Sequence, residues 1–521
     1  MHGPAGAAAR ASGAFAVGLV NADGSTFLAV DRFAIHSLCY TVENGRLRFA
    51  ARADELAGHN ARLAPQALFD YLYFHAIPSP QTIFDGVHRL PPGHCAHFAN
   101  GRLTVVPYWV PTFEPALGTP SFDGLRDEFR SLLQGSVASL LDAGKAGCFL
   151  SGGTDSSTVA GMLSRASGGK ASTYSIGFEA EGYDEMAYAR IAAKHFATDH
   201  HEHYVTADDL VAAMPKVARY YDQPFGNSSA VPAYFCAAMA AQDGVTRILA
   251  GDGGDELFGG NTRYAKQRVF GWYQHLPQPL RSGVMEPLLR RSVLGSLPLL
   301  RKAASYVEQA RVPMPDRAQS YNLLLRLRPS DVLTPAFLAQ VNTGAPLAHQ
   351  QQTWNSARAS NDLDRTLAYD WRYTLAETDL PKVCGTTALA GIGVGFPMLD
   401  PRLLAFSMRL PAAYKLRGLK LRWFFKEALR GFLPDEIIRK PKQGFGLPFG
   451  VWVVRHPALR QQCSEALASL ATRGVVQPAF IRNLLDHHLN AHPHYYGEMV
   501  WILSMLEHWL QHHAPDFSLH D

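Results

Sequence analysis

The chain has 521 residues, 47% of them hydrophobic and 18% charged, with a formal net charge of +4. That length calls for two or more cores, and that composition excludes a disordered or fibrous chain. The small net charge comes without a Lys/Arg block, and no apolar run reaches bilayer length, so neither nucleic acid nor a membrane is expected as a partner.

Residues up to about Trp109 read as β-rich. A strand at 15–20, rather than a leader peptide, and a second at 26–30 flank the Asp23-Gly24 turn as a hairpin. Strands follow at 46–50, 94–98 and, after Asn100-Gly101, at 103–106, with a helix at 65–74. His36 and Cys39 stand at odd spacing in a strand-like stretch, on opposite faces, which argues against a catalytic pair. The six cysteines (Cys39, Cys95, Cys148, Cys236, Cys384, Cys463) form no CxxC pair, and reduced thiols in a cytoplasmic protein are the simplest account. The Pro-rich run 111–120 reads as a linker.

From Phe122 helices and strands alternate: helix 125–140, strand 147–150, a helix after Gly153, strand 172–178, helix 184–196, strand 202–205, helices 207–221 and 231–241, and strand 247–250. This alternation predicts a parallel sheet with helices on both faces and ligands at the strands' carboxyl ends. His200-His201-Glu202-His203 reads as a strand edge with solvated imidazoles or as a metal site, with no Cys at ligand spacing. Beyond about Arg263 the pattern is mostly helical.

The most informative stretch is Cys148-Phe149-Leu150-Ser151-Gly152-Gly153-Thr154-Asp155-Ser156-Ser157. An apolar strand end runs into a turn without bulk, lined by hydroxyls, at a helix N-terminus. Free N–H groups and the helix dipole converge there, which suits pyrophosphate. Gly152 and Gly153 let the backbone approach the anion, Ser151, Ser156 and Ser157 add donors, and Asp155 offers a hard oxygen to Mg²⁺. Two further loops complete the set: the acid-bearing Gly251-Asp252-Gly253-Gly254-Asp255-Glu256 and the cationic Arg439-Lys440-Pro441-Lys442-Gln443-Gly444-Phe445. Asp155 and Asp255 are the expected Mg²⁺ ligands, and Lys442 the group that neutralises transferred charge. No Gly-Lys-Ser/Thr follows the strand, so the first loop is not a Walker A. The expected chemistry is cleavage between the α and β phosphates of ATP, adenylation of a carboxylate and attack of an amine on the acyl adenylate.

In these loops the chain resembles the class B asparagine synthetase family. Asp31-Arg32-Phe33-Ala34-Ile35, Phe84-Asp85-Gly86-Val87 and Leu90-Pro91-Pro92-Gly93-His94 are similar to the later half of that family's N-terminal glutaminase-type domain. The resemblance implies an α/β fold. A parallel-sheet ATP pyrophosphatase domain, adenine nucleotide alpha hydrolase-like and with a helical C-terminal extension (113–521), follows a partial β-rich glutaminase-like domain of the Ntn type (1–112). It also implies that Leu150, Ile176, Ala250 and Gly251 sit near the nucleotide and that Asp252 is the catalytic acid beside the attacking amine.

Two departures stand out. The family begins Met-Cys-Gly-Ile, its Cys attacking glutamine, whereas this chain begins Met1-His2-Gly3 and joins the pattern near Gly13. A structural role for the first domain and no glutamine hydrolysis are therefore expected. In the segment 379–400, Cys384, Gly385, Gly393 and Gly395 stand where the family usually has Asp, Arg, Glu and Arg. Loss of those groups predicts an altered acyl or amine pocket around Cys384, Gly393 and Gly395. The expectation is an ATP- and Mg²⁺-dependent ligase joining a small-molecule or peptide carboxylate to ammonia or a primary amine, with a homodimer as one arrangement. Alternatives are a peptide or natural-product amide synthetase, such as a lasso-peptide-type cyclase, and a non-catalytic nucleotide-binding homologue.

Overall fold

The computed structural model describes residues 4–58, 61–114, 121–141, 144–168, 170–180, 182–281, 306–442, 444 and 446–519. Part of the expected linker, residues 115–120, lies outside them, as do Met1, His2 and the loop residues Gln443 and Phe445.

The N-terminal region contains β1 Ala16–Val20, β2 Thr26–Val30, β3 Cys39–Glu43, β4 Arg46–Ala50, β5 His88–Arg89, β6 His94–Ala99 and β7 Arg102–Pro107. They form an antiparallel four-stranded sheet, β1-β2-β6-β7, and a three-stranded sheet, β4-β3-β5. The sheets close on one another around Leu28, Val30, Leu38, Tyr40, Leu90 and Ala96. At Gly18 an added Cβ would overlap the Phe49 ring, so glycine there permits the close approach of the two sheets. A short helix at Pro4–Arg10, where the sequence showed only an Ala-rich run, seats Ala8 against Ala29 and Cys95.

The helix Pro65–Phe74 falls at the predicted residues and joins the main core of the molecule. Tyr71 Oη donates to the Ile502 carbonyl at 2.8 Å, within the C-terminal helix Pro493–His513. A buried ion cluster also crosses the junction. Glu377 accepts from Arg89 and Arg372 and from the Ser79 hydroxyl at 2.9 Å and amide at 3.1 Å. Burial opposes ionisation of Glu377, but the two arginines outweigh it and hold its carboxyl below the usual range.

The second region is built on β8 Ala146–Phe149, β9 Ser172–Phe178, β10 Asp199–Val205, β11 Arg247–Leu249 and β12 Gly393–Gly395. The sheet order is β10-β9-β8-β11-β12, every pair parallel. Cys148 and Leu249 pack on one face with the helices Phe122–Ser139, Thr154–Ala166 and Met186–Phe196. Tyr174 and Ile248 pack on the other face with Ala230–Gln242. Apolar residues on both faces of a strand are what a doubly covered parallel sheet requires. The chain steps outward from β8 to β10, then returns to β11 on the other side of β8. The crevice at such a reversal is where open α/β sheets bind ligands. The fifth strand, β12, was not anticipated, because Gly-Val-Gly has little strand propensity of its own. Among the described residues no helix is long and apolar enough to cross a membrane.

Candidate active site

The loop after β8 and the loop after β11 meet at the reversal point. An added Cβ at Gly251 would lie 2.8 Å from the Ser156 amide nitrogen, so only glycine lets the loops touch. Between them lies a cavity of about 270 Å³ lined by Leu150, Ser151, Asp155, Ser156, Ile176, Gly251, Asp252 and Asp255, among others. It continues past Ser151 and Asp155 into a groove of about 600 Å³, lined by Gly153, Lys420, Arg422, Lys426, Lys440 and Lys442.

The helix Thr154–Ala166 follows Gly153, whose backbone is extended, and Gly153, Thr154 and Asp155 of this helix start line the groove. The hydroxyls of Ser151 and Ser156 share a hydrogen bond of 3.1 Å, and Ser156 Oγ accepts from the Ser151 amide at 3.2 Å. Three residues expected in this set have other surroundings. Ser157 is fully buried with its hydroxyl unpartnered, and neither space is lined by it. Ala250 is likewise fully buried and lines neither space. Gly152 has φ 68°, and a Cβ there would overlap the backbone of Tyr188 and Ala189, so its glycine serves packing against the helix Met186–Phe196. Gly152→Ala is expected to destabilise the chain by about 1–3 kcal/mol; a shift of the urea midpoint checks this.

Asp155 and Asp255 converge on one guanidinium. Arg422 Nη1 donates to Asp155 Oδ1 at 2.5 Å, and Nη2 pairs with Asp255 Oδ1. Lys442 Nζ reaches Asp255 Oδ2 at 2.5 Å. Burial and the neighbouring Arg422 pull the Lys442 ammonium below the usual lysine range. Lys440 pairs with Glu185 at 2.8 Å and lies over the Tyr188 ring. A hard divalent cation fits this donor set: two carboxylates already hold one cationic group in common. Gly254 keeps the space beside Asp155 open, since a Cβ there would overlap its carboxylate. No cluster of three acidic, Cys or His ligands exists among the described residues. The remaining ligands of Mg²⁺ would have to come from phosphate oxygens and water, its usual mode beside one or two carboxylates.

At the far end of the cavity stands Asp252. Lys382 Nζ is 3.5 Å from Asp252 Oδ1 and 3.1 Å from Asp379 Oδ1. Burial pushes the Asp252 carboxyl above the usual range against the pull of Lys382. Glu256, buried beside Asp379 and Asp370, is pushed up to about 8, mainly by desolvation. Cys384, Gly393 and Gly395 do not line this cavity. The Cys384 thiol points to the Ile35 carbonyl at 3.6 Å, on the first domain. Gly393 is exposed on β12. Gly395 lines a separate cavity of about 130 Å³ between the two regions, with Asp31 and Phe33.

Sequence reasoning missed Arg422, Lys382 and Asp379. Arg422 sits in a left-handed turn (φ 51°) with no motif around it, and only the fold brings it under both loops. Lys382 and Asp379 share one helical face at i, i+3, the available signal.

The sheet, its switch-point crevice and the three loops define an α/β domain of the ATP pyrophosphatase type. The Asparagine synthase profile matches residues 128–511, and a Glutamine amidotransferase domain profile matches residues 2–109. The chain belongs to the asparagine synthase family, and at the level of that family it is an ATP-dependent amide-forming ligase. It is similar to a Mycobacterium tuberculosis protein named "Putative asparagine synthetase [glutamine-hydrolyzing]", 28% identical over 482 residues, covering 89% of this chain and 71% of that one. A Bacillus subtilis protein, asparagine synthetase [glutamine-hydrolyzing] 1, is 24% identical over 490 residues, covering 92% and 75%. Amidase chry2 of Gibberella zeae is 30% identical over 254 residues, covering 44% of this chain and 37% of that one.

The α/β class and the β-rich first domain agree with the sequence expectation. The His200–His203 stretch lies in edge strand β10. His201 stands 3.1 Å from Asp243 and 3.3 Å from Asp199, each imidazole of the stretch facing a carboxylate.

Proposed function

We propose that this chain adenylates a carboxylate with ATP and Mg²⁺ and passes the acyl group to ammonia or a primary amine. The carrying observation is that one continuous space runs from the Ser151/Ser156 loop and the Arg422-bridged Asp155/Asp255 pair to Asp252. In the first half-reaction a carboxylate oxygen attacks the α-phosphorus and pyrophosphate leaves into the basic groove. Ser151, Ser156 and the amides at the helix start hold the leaving group, and Lys442 and Arg422 balance its charge. Asp155 and Asp255 would hold Mg²⁺, which supplies Lewis-acid polarisation of the phosphates. In the second half-reaction Asp252 takes the proton of the attacking amine. Leu150, Ile176 and Gly251 would flank the nucleoside. Six free thiols accord with a reducing compartment such as the cytoplasm.

A peptide or natural-product acid is the second reading: Gly385, at the family's arginine position, offers no cation, and a Cβ there would lie 2.5 Å from the Tyr221 ring. ATP–[³²P]pyrophosphate exchange with a panel of carboxylic acids tests adenylation. Exchange that depends on an acid and on Mg²⁺ is expected. The absence of exchange with every acid would leave a nucleotide-binding protein without turnover. Asp155→Ala is expected to remove exchange, and unchanged exchange would refute the metal assignment. Gly254→Ala, which displaces the Asp155 carboxylate, is expected to raise the Mg²⁺ concentration for half-maximal exchange about tenfold, the equivalent of one lost charge-assisted contact.

A further inference from the structure

We infer that the reacting pair is an acid with no second carboxylate and an amine with no carboxylate, selected by the Asp252–Lys382–Asp379 end of the cavity. The inference rests on the synthetase reading above.

The charges around the cavity carry it. Asp155 and Asp255 are neutralised from the groove side by Arg422 and Lys442 together. That leaves Asp252, Glu256 and Asp379 at the reacting end, against Lys382 as the one cation among the described lining residues. The single ammonium of Lys382 is shared between Asp252 and Asp379, so it cannot offset both carboxylates. Arg263 is held on Asp370 at 3.0 Å, outside the lining, and adds no free cation there.

The two positions at which the family carries arginine offer no substitute. Tyr221 closes the space beside Gly385, and a Cβ at Gly395 would lie 3.0 Å from Leu249 and 3.1 Å from Leu140. A reactant that brought a second carboxylate would place it among acids without a free counter-ion, and like charges at such range cost several kcal/mol. An ammonium finds the opposite. Lys382 itself shows that an alkylammonium is held between these carboxylates, and the second oxygen of Asp252 can receive another. The step balances without a further reagent. The ammonium gives one proton to water on becoming the free amine; the amine's lone pair forms the C–N bond as the acyl C–O bond to AMP breaks, and the nitrogen's second proton passes to Asp252. The bonding pair leaves on the AMP phosphate, and Asp252 returns its proton to water.

The test uses the full chain. Pyrophosphate exchange is compared for hexanoate and benzoate against aspartate and succinate. AMP release is then compared for ethylamine against glycine, with the acid that exchanges. A preference for the monocarboxylates and for ethylamine on the order of 100-fold is expected. Equal or better use of aspartate, succinate or glycine, with exchange intact, overturns the inference and leaves the synthetase reading standing. Exchange with no acid at all overturns both. Asp379→Asn is expected to shrink the discrimination about tenfold by removing one of the charges. Unchanged discrimination in a folded variant overturns the role given to this carboxylate. If that variant does not fold, the wild-type panel decides.

Discussion

Asp252→Asn is expected to lower amide formation by about 10²- to 10⁴-fold while acid-dependent pyrophosphate exchange stays within a few-fold of wild type. The two half-reactions separate because the cavity separates them. Asp155, Asp255, Arg422 and Lys442 gather at the groove, whereas Asp252 pairs with Lys382 at the other end. Asparagine keeps the size and one hydrogen-bonding oxygen of the side chain but cannot accept the amine's proton. The measurement is exchange alongside single-turnover amide formation on one preparation. Equal losses in both would move Asp252 from amine activation to nucleotide binding. Conversely, Lys442→Met should reduce exchange itself, since its ammonium lies beside Asp255 on the side where pyrophosphate departs.

The second large effect is one of stability. Glu377→Gln is expected to destabilise the chain by about 3–5 kcal/mol, the usual result of removing one partner from a buried ion cluster. Arg89 of β5 and Arg372 would both lose their carboxylate at the junction of the two regions, while the remaining oxygen can still accept from Ser79. Urea denaturation followed by tryptophan fluorescence reads the loss. The pH dependence has a definite sign. The folded value of Glu377 lies below its ordinary one, so the native state binds fewer protons than the unfolded chain in that window. The advantage of wild type over the glutamine variant is therefore complete above about pH 4.5. It is lost as pH falls through the depressed folded value. An advantage that grew on acidification would contradict the assignment.

This cluster also gives the first domain a physical role. Its two small sheets would make a modest core alone. Its helix Pro65–Phe74 lies inside the larger core, and Tyr71 and Arg89 bond across the boundary. The Cys384 thiol, at the family's aspartate position, faces Ile35 of this domain across the same junction. The first domain thus backs the helix that carries Lys382 and Asp379.

What was legible in the chain alone follows from locality. The run from Cys148 to Ser157 is a strand, a turn without bulk and a helix start, each specified by neighbours in sequence. The α/β alternation likewise predicted the parallel sheet, and 65–74 was predicted at its observed bounds. Strand β12 was not legible. Gly393, Val394 and Gly395 become a strand only because β11, some 145 residues earlier, offers a parallel edge. The surroundings of Gly152, Ser157 and Ala250 also depended on what packs behind them. Helix periodicity turns Ser157 inward, and Tyr188 and Ala189 occupy the space against Gly152. Arg422 is the plainest case. It stands 267 residues after Asp155 and 167 after Asp255, and nothing local marks it. Neighbours in sequence settle which chemical groups the loops carry and the chain order of the first four parallel strands, β8 to β11. Tertiary structure decided which of those groups face the same space and which counter-ions they keep, because charge pairing acts through distance in space rather than along the chain.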